Sequence, residues 1–179
     1  MEFKQSKTYQ NLLTAYDWEA IVSTRYSIFA DTARDEGYRE IGNVFDTAVR
    51  NDKEHARIWL RQLNSGILPN TEDNLSYSAE LTENGNAMYR EFARVSQDEG
   101  FTAIAALFNG VANIELNHNL SFRTLYADVI RNEVFCKPQD ELWICMQCGN
   151  IMSGPCAPKI CPVCGFPQGY YRLYVNTPE

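Results

Sequence analysis

Apolar residues recur every three or four positions along most of the first 135 residues, which is the spacing of one helical face. Four such stretches are separated by turn-rich segments at 35–38, 64–74 and 98–101. The middle segment, NSGILPNTEDN, is the longest of the three. Short, long and short connections predict a four-helix bundle made of two antiparallel helical hairpins.

An internal repeat supports this division into two hairpins. A shift of 63 residues aligns TRYSIFADTARDEGY (24–38) with AMYREFARVSQDEGF (87–101). The same shift aligns the Asp-x-x-His pair at 52–55 with the Glu-x-x-His pair at 115–118. The repeat therefore predicts two hairpins related by an approximate twofold axis, with their acid/histidine pairs facing each other across the core.

Acidic residues interrupt three of the apolar faces. Glu19 lies in the first face, Asp52 and His55 in the second, and Glu115 and His118 in the fourth. Buried carboxylates are costly unless their charge is compensated. A single acid or histidine in such a face is usually a hydrogen-bonded core residue, but two repeat-related pairs and a third acid favour metal ligands. A Glu from each of two helices and Glu-x-x-His from each of two others is the ligand set of di-iron bundles.

The third helix does not present an acid in phase with its apolar face. Leu81 and Asn84 take the inward positions, and Glu80 and Glu83 lie on the flank. A one-residue π-bulge near 84–86 would turn both acids into the core, and such bulges are frequent at functional sites. The alternative is that both acids are solvated. We expect the bulge, because Asn-Gly-Asn is a poor helix interior, and we count Glu80 and Glu83 as candidate metal ligands.

Two Cys-x-x-Cys pairs follow the helical region in CMQCGNIMSGPCAPKICPVCG (145–165). Four thiolates at this spacing predict a tetrahedral iron or zinc site, with the ligands Cys145, Cys148, Cys161 and Cys164. Nearby aromatic residues favour iron, since they predict an aromatic core for a small domain: Trp143, Phe166, Tyr170, Tyr171 and Tyr174. Cys136 and Cys156 fall outside the paired spacing and are interpreted as unliganded thiols.

Length, composition and charge narrow the class of protein. The 179 residues, 45% of them apolar and 22% charged, indicate a globular chain with two domains, which we place at 1–139 and 140–179. A net charge of -7 argues against a nucleic-acid partner. No apolar run approaches the length of a membrane span, and the first residues lack the apolar stretch of a secretion signal. We therefore expect a cytoplasmic protein with no membrane partner.

The residues described above resemble the rubrerythrin family over nearly the whole chain. The similar segments are LLTAYDWEA around Glu19, EHA at 54–56, MYREFARVSQDEGF at 88–101 and the acid/histidine pair at 115–118. WICMQCG and ICPVCG are similar to the metal knuckles of rubredoxins. The resemblance implies a mainly α protein: a ferritin-like four-helix bundle with a small C-terminal rubredoxin-like metal-binding domain.

The resemblance also implies an activity. Members of the family reduce hydrogen peroxide to water at a di-iron centre, with electrons that come from NAD(P)H through a separate reductase or a rubredoxin and then through an Fe(Cys)4 site. They are typically cytoplasmic homodimers. Tyr26 and Tyr89 match family tyrosines that are thought to hydrogen-bond the carboxylates of the site, and we count both as candidate catalytic residues.

Two departures from the family pattern keep other functions open. Asp52 stands where the family has a glutamate, and the third helix lacks the family's Glu-x-x-Glu in register. The alternatives are a ferroxidase, or a non-enzymatic bundle with a degenerate metal centre and a structural zinc ribbon.

Overall fold

The computed structural model describes residues 2–175 of the chain. These residues form two compact units that meet in sequence between Asn70 and Thr71. Among the described residues there are four long helices: α1 (Lys7–Asp35), α2 (Arg39–Leu63), α3 (Thr71–Asp98) and α4 (Thr102–Ile130). The mainly helical fold class is thereby confirmed. None of the helices in residues 2–175 has both the length and the apolar character needed to cross a bilayer.

The first unit is built on the antiparallel pair α1 and α2, called hairpin 1 here, and the second unit contains α3 and α4, called hairpin 2. Small side chains line the contact between the two helices of each hairpin. In hairpin 1, Ala30 is fully buried. A Cβ atom placed on Gly42 would lie only 3.1 Å from the carbonyl oxygen of Ala30. At the repeat-equivalent positions of hairpin 2, Ala93 and Ala105 are both buried. The sequence repeat is therefore reproduced in the helix packing.

Each hairpin also contains a cluster of three aromatic rings at repeat-equivalent positions. Ring centroids in hairpin 1 are 5.7 to 6.3 Å apart, and the cluster is formed by Tyr26, Phe29 and Phe45. Those in hairpin 2 are 5.5 to 6.2 Å apart, and the cluster is formed by Tyr89, Phe92 and Phe108. Aromatic pairs at these separations add to the stabilisation from burial alone.

The two short turns lie where the sequence predicts them. Helices α1 and α3 end at Asp35 and Asp98, and Gly37 and Gly100 follow with φ of +90° and +88°, a conformation that glycine adopts without strain. The remaining connection, between α2 and α3, is shorter than expected. Helix α3 already begins at Thr71, which leaves the seven residues 64–70 as the linker between the hairpins.

Helix α3 is an uninterrupted α-helix through residues 84–86. The π-bulge expected there is absent, so that expectation is wrong. The side-chain amide of Asn86 donates a hydrogen bond to the backbone carbonyl of Ala112 in α4 at 2.6 Å, which ties this part of α3 to its neighbour. Gly85 packs against the side chain of Glu115, since a Cβ atom placed on Gly85 would lie 3.7 Å from the carboxylate.

The C-terminal part of the second unit is a three-stranded antiparallel sheet in the order β2-β1-β3. Its strands are β1 (Cys136–Cys145), β2 (Ile151–Cys156) and β3 (Tyr171–Leu173). Of the aromatic residues expected in its core, Trp143 and Tyr171 are buried, whereas Tyr170 is exposed and packs edge-on against Phe166. The division of the chain between residues 139 and 140 stays a prediction; β1 begins at Cys136.

The close contact at Gly42 gives a test of the packing of hairpin 1. We expect Gly42→Ala to destabilise the protein by about 1 kcal/mol, because the added methyl would lie 3.0 Å from Arg34 Cγ and 3.1 Å from the Ala30 carbonyl oxygen. Gly110→Ala in α4 is the matched control: a Cβ atom there meets nothing within 4 Å, and the helix-propensity gain of up to ~1 kcal/mol should stabilise the protein. Urea unfolding followed by circular dichroism measures both, and shifts of the same sign would contradict the packing described here.

Candidate metal centres

The four cysteines of the two Cys-x-x-Cys pairs come together in the second unit. Their sulfur atoms all lie within 4.8 Å of one another, and the sulfurs of Cys145 and Cys164 and of Cys148 and Cys161 are each 3.7 Å apart. Four sulfurs bound to one metal at about 2.3 Å in a tetrahedron are separated by about 3.8 Å. The site therefore has the dimensions of a tetrathiolate metal centre.

Two equivalent turns hold these sulfurs in place. The backbone N–H of Gly149 donates to the carbonyl of Cys145 at 2.8 Å, and that of Gly165 donates to the carbonyl of Cys161 at 2.9 Å. Both glycines have positive φ, +78° and +74°, which other residues rarely adopt. The Gly after each Cys-x-x-Cys pair thus lets the chain fold back around the metal position.

The surroundings of the sulfurs favour the thiolate form at Cys161, whereas burial and the neighbouring sulfurs raise the pKa of Cys148 and raise that of Cys164 to about 12. Cys161 is almost completely buried, yet the nearby hydroxyl of Tyr171 stabilises its thiolate and lowers the pKa of Cys161 to about 6, with help from the backbone N–H groups of Cys164 and Val163. A thiol with this pKa is largely ionised at neutral pH. Metal ligation requires deprotonated sulfur, so Cys161 is ready to bind a metal ion and Cys148 and Cys164 release their protons when the ion binds.

The remaining two cysteines are not thiols. Cys136 and Cys156 form a disulfide between the first residue of β1 and the last residue of β2. They are correctly excluded from the tetrathiolate group, but their interpretation as unliganded thiols is wrong. The antiparallel register pairs these two residues directly across the strands, which brings together positions that lie 20 residues apart in sequence.

Hairpin 1 holds three of the predicted metal ligands in one group. Ligand atoms of Glu19, Asp52 and His55 all lie within 4.8 Å of one another, and His55 Nδ1 is 3.4 Å from Glu19 Oε2 and 3.8 Å from Asp52 Oδ1. The two carboxylates are largely buried, with side-chain exposures of 19% and 15%. Asp52 Oδ2 is buried without a hydrogen-bond partner. An orphaned carboxylate oxygen beside a second carboxylate and an imidazole fits a bound metal ion.

Hairpin 2 holds a second, smaller group. Glu115 Oε2 lies 3.8 Å from His118 Nδ1. Within residues 2–175, no third acid, histidine or cysteine completes a group of three with this pair. The position equivalent to Glu19 is occupied by the buried Thr82, whose hydroxyl donates to the carbonyl of Ser78 at 2.8 Å.

The two acids of α3 do not form a ligand group with this pair. Glu83 forms an ion pair with Arg123 of α4, with Oε2 and Nη2 2.6 Å apart, and Glu80 is exposed. Arg123 also donates to Asn119, whose amide donates to the carbonyl of Ala79 at 2.6 Å. The acids line a pocket of about 320 Å³ together with Ser76, Ala79, Arg123 and Tyr126. This network was not predicted, although Asn119 and Arg123 stand four residues apart on one helical face, a spacing at which side chains meet.

The fold and these sites together define the class of protein. A chain of four long helices carries groups of carboxylate and histidine side chains in both hairpins, and a small sheet carries four cysteines with the dimensions of a tetrathiolate site. This combination is that of a ferritin-like metalloprotein with a rubredoxin-like centre.

Comparison with known proteins identifies the family. The family model described as "Rubrerythrin" matches residues 10–72 and 73–144, and the model described as "Rubrerythrin, rubredoxin-like domain" matches residues 143–172. Rubrerythrin-1 of Clostridium acetobutylicum is 33% identical over 95% of each chain, and a rubrerythrin of Clostridium perfringens is 35% identical over 97% of each. A solved structure of nigerythrin in a mixed-valence state aligns with a TM-score of 0.36 at 23% identity, over 94% of this chain and 87% of that one. The chain belongs to the rubrerythrin family.

Membership of this family supports three statements about the chain. Its cofactor is iron, which rubrerythrins bind in a di-iron site and in a rubredoxin-like four-cysteine site. It is an oxidoreductase. It takes part in defence against oxidative stress.

The four-cysteine site can be tested by its colour, because ferric iron bound by thiolates absorbs strongly in the visible and zinc does not. We expect Cys161→Ser to lose this absorption while the helical content is retained, since Cys161 lies in the core of the small sheet. The matched control is the double variant Cys136→Ser/Cys156→Ser, which removes two sulfurs but leaves all four ligands. Visible and far-ultraviolet spectra measure both variants. A colourless control, or loss of helix in Cys161→Ser, would contradict this assignment.

Proposed function

We propose that this chain is a peroxidase that reduces hydrogen peroxide to water with electrons from NAD(P)H, delivered by a separate reductase or a rubredoxin. The observation that carries the proposal is the group of Glu19, Asp52 and His55, in which a buried carboxylate oxygen of Asp52 has no partner. The four-cysteine site supports it, because a peroxidase of this kind needs a one-electron carrier and the same chain provides one. A homodimer in the cytoplasm is part of the proposal.

The bundle ligands in this proposal come from both hairpins. Hairpin 1 contributes a carboxylate from α1 and a carboxylate and imidazole from α2, and hairpin 2 contributes a carboxylate and imidazole from α4. One or both acids of α3 are added to this set. The proposed ligands are Glu19, Asp52, His55, Glu115 and His118, with Glu80 and Glu83 as the acids of α3.

Each type of side chain has a separate part in this proposal. The carboxylates of Glu19, Asp52 and Glu115 compensate the charge of the cations, and in return the cations offset the cost of burying them. The side chains of His55 and His118 are 49% and 54% exposed, so neither imidazole is buried against its own hairpin and each is available to bind a cation. When bound, two ferrous ions would supply the two electrons needed to cleave the O–O bond, and an iron held by the four cysteines would supply electrons singly.

The tyrosines are proposed as positioning groups for the carboxylates. Tyr26 and Tyr89 are half-buried at equivalent positions of the two aromatic clusters. Ring packing restricts each side chain, so that its hydroxyl can hold a carboxylate in a fixed orientation.

One observation favours a second candidate function, that of a non-enzymatic protein with a degenerate metal centre in its bundle. Hairpin 2 presents two grouped ligands where hairpin 1 presents three, which is the arrangement expected of a bundle whose second metal position has degenerated. Such a protein would use its four-cysteine site for structure alone. Counting irons per chain after anaerobic loading separates the candidates, because the peroxidase needs two irons in addition to the one bound by cysteine.

The role of His118 can be tested by substitution. We expect His118→Gln to lower bundle iron and the rate of peroxide reduction, by about tenfold or more for loss of a metal ligand. Asn117→Gln is the matched control, because Asn117 is exposed beside His118 and the substitution creates the same side chain. Anaerobic iron titration and stopped-flow oxidation by peroxide measure both. Unchanged iron and turnover in His118→Gln would show that His118 is a packing residue.

The acids of α3 require a separate test, because Glu83 is bonded to Arg123 in the structure. If α3 supplies a ligand, Glu80→Gln or Glu83→Gln lowers the number of irons bound per chain under anaerobic ferrous loading. Arg123→Gln is the control for the ion pair: it leaves the carboxylate free, and loss of an exposed pair changes the free energy of unfolding by only about 0–1 kcal/mol. Full iron content in both Glu variants would exclude α3 from the metal centre.

A further inference from the structure

Two buried polar atoms beside the four-cysteine site have no hydrogen-bond partner within residues 2–175. They are the hydroxyl oxygen of Tyr171 and the side-chain nitrogen of Asn150. Tyr171 is only 3% exposed, so its hydroxyl has left bulk water without gaining a bond inside the sheet. A buried polar group without a partner is costly, and few occur in native proteins. The two atoms therefore point to a role at the metal position next to them.

The sheet holds both residues against the same ligand cysteine. Tyr171 is the direct partner of Cys145 in the register of β1 and β3, so their side chains lie on one face of the sheet. On the β2 side of the same strand, the carbonyl of Asn150 accepts a hydrogen bond from the N–H of Cys145 at 2.9 Å. Tyr171 also shares a buried cluster with Cys161. Both orphaned atoms thus belong to side chains fixed beside the sulfurs.

The hydroxyl of Tyr171 lies beside the sulfur of Cys161. It is the main cause of the lowered pKa of that thiol, because it stabilises the thiolate. Burial and the same sulfur raise the pKa of Tyr171 to about 12, so the hydroxyl keeps its proton at neutral pH and remains a donor. Cys161 is 1% exposed, so bulk water does not compete for its sulfur.

The donor and acceptor properties of these groups allow one order of bonds. A thiolate only accepts, and the side-chain nitrogen of Asn150 only donates. A hydroxyl does both, so Tyr171 is the group that can accept from Asn150 and donate to Cys161. Asn150 is within reach of the hydroxyl, since its side chain opposes the rise in the pKa of Tyr171 as a hydrogen-bond donor does.

We propose that Tyr171 donates a hydrogen bond to the sulfur of Cys161 and so raises the reduction potential of the iron held by the four cysteines. Asn150 is a positioning residue, which turns the hydroxyl hydrogen toward the sulfur. One-electron reduction of ferric iron adds negative charge to a site that already has four anionic ligands, and hydrogen bonds to the sulfurs offset that charge. The bond therefore stabilises the reduced form more than the oxidised form. This proposal depends on the four-cysteine iron and not on the peroxidase activity proposed above.

The variant Tyr171→Phe tests the hydrogen bond, because it removes one oxygen and keeps the ring. We expect the equilibrium constant for reduction of the four-cysteine iron to fall by roughly tenfold, which is about 59 mV for a one-electron couple. Tyr170→Phe is the matched control, since it removes the same oxygen from the neighbouring residue, which is 40% exposed. Redox titration of the iron-loaded full chain, followed by its visible absorption, measures both potentials.

Two results of this titration would contradict the proposal. One is a potential in Tyr171→Phe that is unchanged or higher, and the other is an equal fall in Tyr170→Phe. A measurement on the unsubstituted chain does not depend on how the variants fold. With ¹¹³Cd in the four-cysteine site, an O–H group aimed at a ligand sulfur gives a scalar coupling between its proton and the metal. Absence of this coupling at the Tyr171 hydroxyl would refute the hydrogen bond.

A double-mutant cycle tests the part played by Asn150. Asn150→Leu removes the amide donor and keeps a side chain of similar size. We expect it to lower the potential of the wild-type protein and to have no further effect in Tyr171→Phe, because Asn150 acts only through the hydroxyl. A shift of the same size in both backgrounds would show that Asn150 acts on the iron site by itself and would overturn its role as a positioning residue.

Discussion

The architecture of the helical region depends on the cost of keeping carboxylates out of water. Glu19, Asp52 and Glu115 are each less than one quarter exposed, and the groups that the structure places beside them are histidines, which are charged only when protonated. Anions in such surroundings are unfavourable unless a cation joins them. The depth of these acids along each hairpin therefore fits the cation sites proposed for the helical region.

The two hairpins share a sequence repeat but differ in their polar contacts. Around its acid/histidine pair, hairpin 1 keeps a carboxylate on the preceding helix, whereas hairpin 2 has Thr82 there and joins its helices through the amides of Asn86 and Asn119. These amide bonds are neutral and complete without a metal. Hairpin 2 therefore joins its helices through neutral contacts, and it belongs to the unit that also carries the sheet with the four cysteines.

Most of the fold could be predicted because it follows from local patterns. The helical period, the Asp-Glu-Gly turns and the cysteine spacing each depend on residues that are close in sequence, and the repeat correctly pairs the aromatic clusters. The failures involve contacts between distant residues. A π-bulge was expected near residues 84–86, but α3 continues as a regular helix there, and the hydrogen bond from Asn86 to Ala112 offsets the weak helix propensity of this segment. The disulfide depends on strand register, which the sequence of the Cys-x-x-Cys pairs does not reveal.

Because of the disulfide, the order in which the chain binds its metal ion and oxidises its thiols matters for folding. It closes a ring that contains Cys145 and Cys148 but leaves Cys161 and Cys164 outside. A newly made chain with six free thiols can oxidise in about fifteen fully paired arrangements. Once a metal ion has taken four of the sulfurs, only one pair is left to react. The metal then acts as a protecting group during oxidative folding, so that early metallation directs the chain to its native covalent structure and late metallation exposes it to scrambled products.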